Sequence, residues 1–380
     1  MFMDISSEMI HALLPVFLVS TLGASATVLG AIEGAAEATA NITKLFSGAL
    51  SDWLGRRKML TALGYGLAAL TKPLFPIASS VGWVVSARLI DRIGKGVRDA
   101  PRDALIADLT APGQRGAGFG LRQSLDTIGA VAGPLLAIAL MALWSDDIRR
   151  VFWVAVIPAM ISLGIMVFAV REPAVEHRAE RAPFRLADIA HMPRLFWLVA
   201  GVATIFTLAR FSEAFLILRA QTAGLPLALL PAVMVAMNIE YALGAYPVGA
   251  LSDRIGRPRL LMLGIACLIA ADLALAWTSG PLLLFVGVAL WGLHMALTQS
   301  LFASLVADTA PPQARGTAFG IYNFLQGITL LGASLVAGAL WDGFGPRLTF
   351  LAGAGFAAAA FLTLFFVQDP RRSAASRLSH

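Results

Sequence analysis

Twelve apolar runs divide this chain, at 5–22, 27–50, 59–78, 81–107, 115–142 and 151–170, and then at 195–219, 227–250, 259–278, 281–307, 315–340 and 347–367. A hydrocarbon core takes about 20 residues of helix to cross, against about ten for a barrel strand. Backbone groups facing lipid must be satisfied within a helix or a closed barrel, so runs this long predict tilted membrane-spanning helices. The first run is the least regular. Its apolar part, 9–22, follows Asp4 and Glu8, so this helix either includes the acidic segment or begins short. It lacks the basic leader and small-residue cleavage site of a signal peptide.

A soluble alternative fails on composition. Hydrophobic residues make up 58% of the chain and charged residues 14%, where a soluble domain carries about 25% charge. Many of the 35 glycines lie inside the apolar runs, as suits membrane helices that approach closely. Cys267 is the single cysteine, which excludes an internal disulfide and a cysteine-built metal site. The net charge of +6 reads as basic loops beside anionic lipid rather than nucleic-acid binding.

With both termini inside, the cytoplasmic loops collect Arg56, Arg57, Lys58, Arg115, Arg171, Arg178, Arg181, Arg185, Arg194, Arg254, Arg257, Arg259, Arg315, Arg371, Arg372 and Arg377. The opposite side receives Lys72, Arg149, Arg150, Arg219 and Arg347. The positive-inside bias therefore predicts a multi-pass membrane protein with both termini cytoplasmic. Trp83, Trp144, Trp153, Trp197 and Trp341 fall near run ends, where an aromatic belt sits.

Two stretches occur twice. GALSDWLGRR at 48–57 returns as GALSDRIGRP at 249–258, and ALIADLTAPGQRGAGFG at 104–120 returns as SLVADTAPPQARGTAFG at 304–320. Order and spacing are kept, which indicates duplication of a six-helix unit. The expected fold is an all-α polytopic membrane protein of twelve transmembrane helices in two six-helix halves. Its divisions are 1–170 and 195–367 for the bundles, 171–194 for a cytoplasmic linker (with a short interfacial helix at 184–191), and 368–380 for a cytoplasmic tail. Parallel halves of this kind support alternating access at their interface.

Charges inside the runs point to the working surface. At 100° per residue, Arg88, Asp91, Arg92, Lys95, Arg98, Asp99, Arg102 and Asp103 share an arc of roughly 140° on the fourth helix. Such a face needs water or an opposing charged helix. Glu33, Glu37, Asn41, Lys44 and Gly48 form one stripe of the second helix and supply a partner. Glu33 and Glu37 are the leading candidates for proton coupling, Glu37 first. Arg122 and Asp126, Arg210 and Glu213, Glu240, and Asp4 with Glu8 are further coupling or cavity candidates. Arg122–Asp126 and Arg88 with its near neighbours could also be pairs within one helix. His11 and His294 could titrate or bind, but read first as packed, hydrogen-bonded histidines. Asp272 reads as a boundary charge. Phe206, Phe211, Phe215, Tyr241, Tyr246, Trp291, Tyr322 and Phe324 could line a cavity or simply pack.

The sequence resembles the major facilitator superfamily over nearly its full length. The decapeptides match its loop motif G-x-L-x-D-(R/K)-x-G-R-(R/K), with Trp53 and Pro258 in place of basic residues. The resemblance implies gating loops at Gly48, Asp52, Gly55, Arg56 and Arg57 and at Gly249, Asp253, Gly256 and Arg257, where the aspartate helps lock the outward-facing state. Gly120, Gly129, Gly133 and Pro134 resemble the family's antiporter motif, with Ala137 and Ile138 replacing its last glycine pair. That motif implies export by exchange, through a tight, locally bent helix contact. DRIGKGVRDAPRDALIAD at 91–108 resembles a bacterial subgroup of general efflux-type permeases, whose members have more apolar sequence before an SSEMI-type segment; the resemblance implies a bacterial inner membrane and a start that omits the first part of helix one.

The expected function is a secondary active transporter, proton-coupled, exporting a small organic molecule by antiport. The alternative is a proton symporter taking up an anionic metabolite. A membrane enzyme or passive channel ranks lower, because no phosphate-binding loop, H-E-x-x-H helix or G-x-S-x-G elbow occurs. Expected partners are the substrate and the bilayer, with no nucleic acid, metal or cofactor other than the coupling proton, and the chain is expected to be a monomer.

Overall fold

The computed structural model describes residues 1–54, 56–110, 114–171, 192–255, 257–310 and 315–364. The linker at 172–191, with the interfacial helix expected in it, and the tail beyond 364 lie outside the described residues. The helices are α1 (Phe2–His11), α2 (Ala26–Leu54), α3 (Arg57–Thr71), α4 (Val81–Leu109), α5 (Arg115–Leu143) and α6 (Ile148–Gly164). They continue with α7 (Arg194–Ala209), α8 (Ala214–Thr222), α9 (Ala232–Ile255), α10 (Arg257–Ala276), α11 (Pro281–Thr309), α12 (Arg315–Phe344) and α13 (Pro346–Leu364). α7 and α8 make one pass, so the chain crosses twelve times.

Among the described residues, nine helical segments have the length and apolarity to cross a membrane alone. The others are α2, α3 and α4. α3 has 15 residues and is extended by a short turn of helix at Leu74–Ile77 beyond Pro73, while α2 and α4 carry the charges already singled out. These helices are tolerable in lipid because they pack mainly on one another and on neighbours.

Three runs differ from the even helices expected. The first helix includes Asp4 and Glu8, then breaks after His11 and ends in a π-helical turn at Phe17–Thr21. The third breaks at Pro73, whose ring removes a backbone donor. The seventh breaks across Arg210–Glu213.

The duplication has a packing signature. A Cβ on Gly64 would stand 2.6 Å from Arg98 Cβ, and one on Gly264 the same distance from Thr298 Cγ2. The same helix crossing is thus built in both repeats. Between the repeats, α2 packs on α12 and α5 on α9. The first contact leaves no room for side chains at Gly30, against the Ser334 carbonyl, or at Gly34, where a Cβ would lie 2.7 Å from Leu331 Cα. Trp83, Trp153 and Trp197 are substantially exposed near helix ends, as an aromatic belt requires.

Candidate functional site

Because the passes alternate in direction, the described turns at 22–25, 78–80, 144–147, 223–231, 277–280 and 345 fall on one side (the turn side), and the helix ends at Leu54, Leu109, Ile255 and Thr309 fall on the other (the loop side). A ladder of opposite charges runs down α4 between them.

At its turn-side end Arg88 grips Glu33 of α2 with two bonds, Nε to Oε1 at 3.1 Å and Nη2 to Oε2 at 2.7 Å. Both side chains are buried. The pair runs across helices rather than within α4, as the spacing to Asp91 had allowed. His11 stands between two carboxylates, 3.6 Å from Glu33 and 3.6 Å from Glu8. Its Nε2 has no hydrogen bond within ordinary limits. One turn further along α4, Asp91 binds Lys72 Nζ at 2.8 Å, and Lys72 also donates to Ser7 at 3.0 Å. This corrects the placing of Lys72 in an outer loop: it is buried, because the break at Pro73 turns it inward onto α4.

Arg92 forms an ion pair with Glu37 at 3.1 Å, and Glu37 keeps about a third of its side-chain surface exposed (32%) although α2 is packed on both α4 and α12. Lys95 and Lys44 are partly exposed nearby, with no carboxylate within ion-pair distance among the described residues. Toward the loop side, Arg102 contacts Asp99, Asp103 and Asp126 at 3.5–3.7 Å. Arg98 lies over the Tyr65 ring at 5.1 Å. Arg122 holds Asp126 at 3.0 Å within α5, as its spacing predicted, and reaches Asp103 at 3.5 Å.

In the second half the candidates are sparser. Arg210 and Glu213 bracket the α7–α8 break; neither makes an ion pair among the described residues, and Arg210 Nε has no hydrogen bond. Glu240 is partly buried beside Gly292 of α11. Phe206, Phe211, Phe215 and Trp291 pack on each other and on Phe302 and Phe350, so they build core rather than cavity wall. Tyr241 and Tyr322 are partly exposed and Phe324 more so, while the Tyr246 side chain lies outside the description. Asp272 is not a boundary charge: it is fully buried with neither oxygen hydrogen-bonded. His294 is buried as expected, but neither ring nitrogen has a hydrogen bond of ordinary geometry.

The motif positions divide similarly. Gly48 approaches Ala100 of α4, where a Cβ would be 3.4 Å away. Arg56 is exposed, and Arg57 pairs with Asp108 at 2.9 Å, tying the start of α3 to the end of α4. Of Asp52, Gly249, Asp253 and Arg257 only the helical backbone is described; Gly55 and Gly256 lie outside the described residues. Gly129 and Gly133 let α5 lie on α1, with a Cβ at either meeting Asp4 or Ile5 atoms at 2.7 Å. Pro134 follows within α5, and Gly120 stands free of neighbours.

The turn side is sealed across the repeats by a group that sequence reasoning missed. Asp342, at the end of α12, accepts from Ala26 N at 2.9 Å, Thr27 N at 2.8 Å and Thr27 Oγ1 at 2.6 Å. It thereby caps the N-terminus of α2, whose next amide, Val28, is taken by Ser25. Gln221 of α8 adds a bond to Ser20 at 2.8 Å. A cap supplied from more than 300 residues away has no local signal. α5 and α9 also meet toward this side, where Asn238 donates to the Ala130 carbonyl at 3.2 Å.

Among the described residues no group of three or more His, Cys, Asp or Glu side chains could hold a metal ion. The family model of the Major Facilitator Superfamily matches residues 1–329 and 214–379. An uncharacterized MFS-type transporter of Methanocaldococcus jannaschii is 32% identical over 96% of this chain and 92% of its own length. The multidrug resistance protein MdtH of Klebsiella pneumoniae is 27% identical over 97% of this chain and 92% of its own. Solved folds agree: a mutant of the nucleoside transporter NupG superposes with a TM-score of 0.79 at 13% identity, covering 96% of this chain and 97% of that one. A D-xylose–proton symporter gives 0.75 at 16% identity, covering 97% and 96%. The chain belongs to the major facilitator superfamily, as a multi-pass membrane transporter that moves small molecules by secondary active, alternating-access transport rather than an enzyme.

Proposed function

We propose that this transporter exports a small organic molecule from the cytoplasm in exchange for protons, from a bacterial inner membrane with both termini inside. Residues 1–170 and 195–367 are the moving bundles, 171–194 the linker and 368–380 a tail. The observation that carries the reading is Glu37, a carboxylate between the bundles that is paired with Arg92 yet still open to solvent. A group so placed can exchange a proton whenever bundle motion changes its distance from Arg92 and Lys95. Export is supported by the α1–α5 contact at Gly129 and Gly133 and by the likeness to a multidrug resistance protein.

Proteoliposomes with an imposed pH gradient test this, using cationic dyes, organic acids and siderophore-like compounds. Substrate movement against inward proton flow supports exchange. Co-transport of substrate and proton into the vesicle lumen, with the protein inserted right side out, would establish symport instead. Symport of an anion has its own support in three cations without ion pairs among the described residues, Lys44, Lys95 and Arg210.

The bonds of Asp342 hold the turn side shut in this state. Charge-assisted bonds contribute about 1.5–3 kcal/mol each against an unpaired alternative, but water replaces them on opening. Asp342→Ala is therefore expected to shift the population toward the turn-open state by roughly tenfold, about 1.4 kcal/mol. Longer spin-label distances between Leu143 and Leu229, which flank that side, would register it. At the loop side, Asp52→Asn is expected to lower flux per folded molecule with surface expression retained; equal flux removes Asp52 from gating.

A further inference from the structure

Among the described residues, seven buried side-chain polar atoms of the second half have no hydrogen bond of ordinary geometry, and five of them lie on three side chains: both oxygens of Asp272, Nε1 of Trp291 and both ring nitrogens of His294. All three side chains are essentially inaccessible. Trp291 links them into one cluster, lying 5.2 Å from His294 edge to face and 5.5 Å from the Phe211 ring. Phe211 in turn closes over the carboxylate at Gly353 of α13. A Cβ there would stand 2.7 Å from Asp272 Oδ2 and 3.0 Å from Phe211 Cε1, so the missing side chain makes the room the carboxylate occupies.

The duplication explains what is unusual. With the offset of about 200 between repeats, Asp272 corresponds to Lys72 and Trp291 to Asp91. The first repeat places a buried ion pair there, at 2.8 Å. The second puts an acid at the lysine's position and an indole at the acid's, so the acid has no cation from this pair of positions. The titratable and charged groups on the surrounding elements are Arg210, Glu213 and Arg219 of the broken seventh pass, Glu240 and Tyr241 of α9, Cys267 of α10, His294 of α11, Tyr322 of α12 and Arg347 of α13. Arg219 is spent on the Leu275 and Thr278 carbonyls and Arg347 on the Trp277 ring. None forms an ion pair with Asp272 among the described residues.

We propose that Asp272 is a second proton-binding site of this transporter, carrying its proton as a neutral carboxylic acid in the state described and exchanging it when the Arg210–Glu213 break carries Phe211 away. A buried carboxylate with no cation neutralises by taking up a proton rather than bearing the cost of an isolated charge. Sodium does not fit, because hard cations want a shell of oxygen ligands and the cluster offers the two oxygens of one side chain among rings and N–H groups. The site is independent of the direction of transport and of Glu37.

Infrared difference spectroscopy on the full-length protein in lipid vesicles tests it without a transport assay. A carboxylic-acid carbonyl band at neutral pH is expected in the wild type and in Glu37→Gln, and its loss in Asp272→Asn. Gly353→Ala should shift that band without removing it, which covers the case of a poorly folded Asp272→Asn. Superimposable wild-type and Asp272→Asn spectra, or a band that disappears on adding sodium at constant pH, would overturn the proposal while leaving the Glu37 reading intact.

Discussion

Glu33→Gln is expected to destabilise the protein by about 3–5 kcal/mol, the cost of leaving one member of a buried pair without its partner. The reason is geometric. Arg88 is fully enclosed and is held to Glu33 by two bonds, at 3.1 and 2.7 Å. With glutamine opposite, one neutral oxygen must face a guanidinium that cannot be released to water. Arg88→Met should cost a similar amount, through an uncompensated carboxylate that retains only His11 at 3.6 Å. The double variant Glu33→Leu with Arg88→Met should recover most of the loss, because apolar replacements of a buried pair are often neutral. Unfolding midpoints of wild type, Glu33→Leu, Arg88→Met and the double variant, in one detergent, form the double-mutant cycle. Single variants within about 1 kcal/mol of wild type would show that the pair is hydrated.

Glu37→Gln is expected to behave oppositely: near-normal stability, but proton-driven flux reduced tenfold or more, about 1.4 kcal/mol or more in the coupled step. Among the described residues Glu37 has one ion-pair partner, Arg92, at 3.1 Å, and it remains about a third exposed, so the amide can hydrate and Arg92 retains Asp91 at 3.8 Å. Removing the ionisable group should also flatten the pH dependence of flux in proteoliposomes. Retained flux with an unchanged pH profile removes Glu37 from coupling and passes the role to the Glu8–His11–Glu33 group.

The two glutamates share one stripe, and although Glu37 was placed first, their spacing alone gives no physical ground for that order. Helical spacing placed both opposite α4, and that much was legible. Which of them is locked and which is open depends on how deeply Arg88 and Arg92 sit, a property of packing between helices. Lys72 was misplaced for a related reason: an apolar run with a lysine near its end looks like a boundary, and Pro73 breaks the helix so that the lysine turns inward. Asp272 was misread by the same rule. Its burial follows from the room left by Gly353, some eighty residues later.

Periodic and repeated features fared better. Twelve passes, the repeated loop-side segments and the charged face of α4 all follow from spacing within short windows. Asp342 did not, since its partners at Ala26 and Thr27 lie at the far end of the chain. The glycines at 129 and 133 were read as a contact surface, but only the structure identifies α1 as the helix they receive.

Spin-label distances across the α5–α9 contact test the account most directly, with Leu143 and Leu229 labelled on the turn side and Leu121 and Leu251 on the loop side, in a Cys267→Ser background. When the pH is stepped, or Asp342→Ala is introduced, one distance should lengthen as the other shortens. Distances that stay fixed in every condition, or that lengthen together, would contradict two bundles rocking about a buried charge ladder.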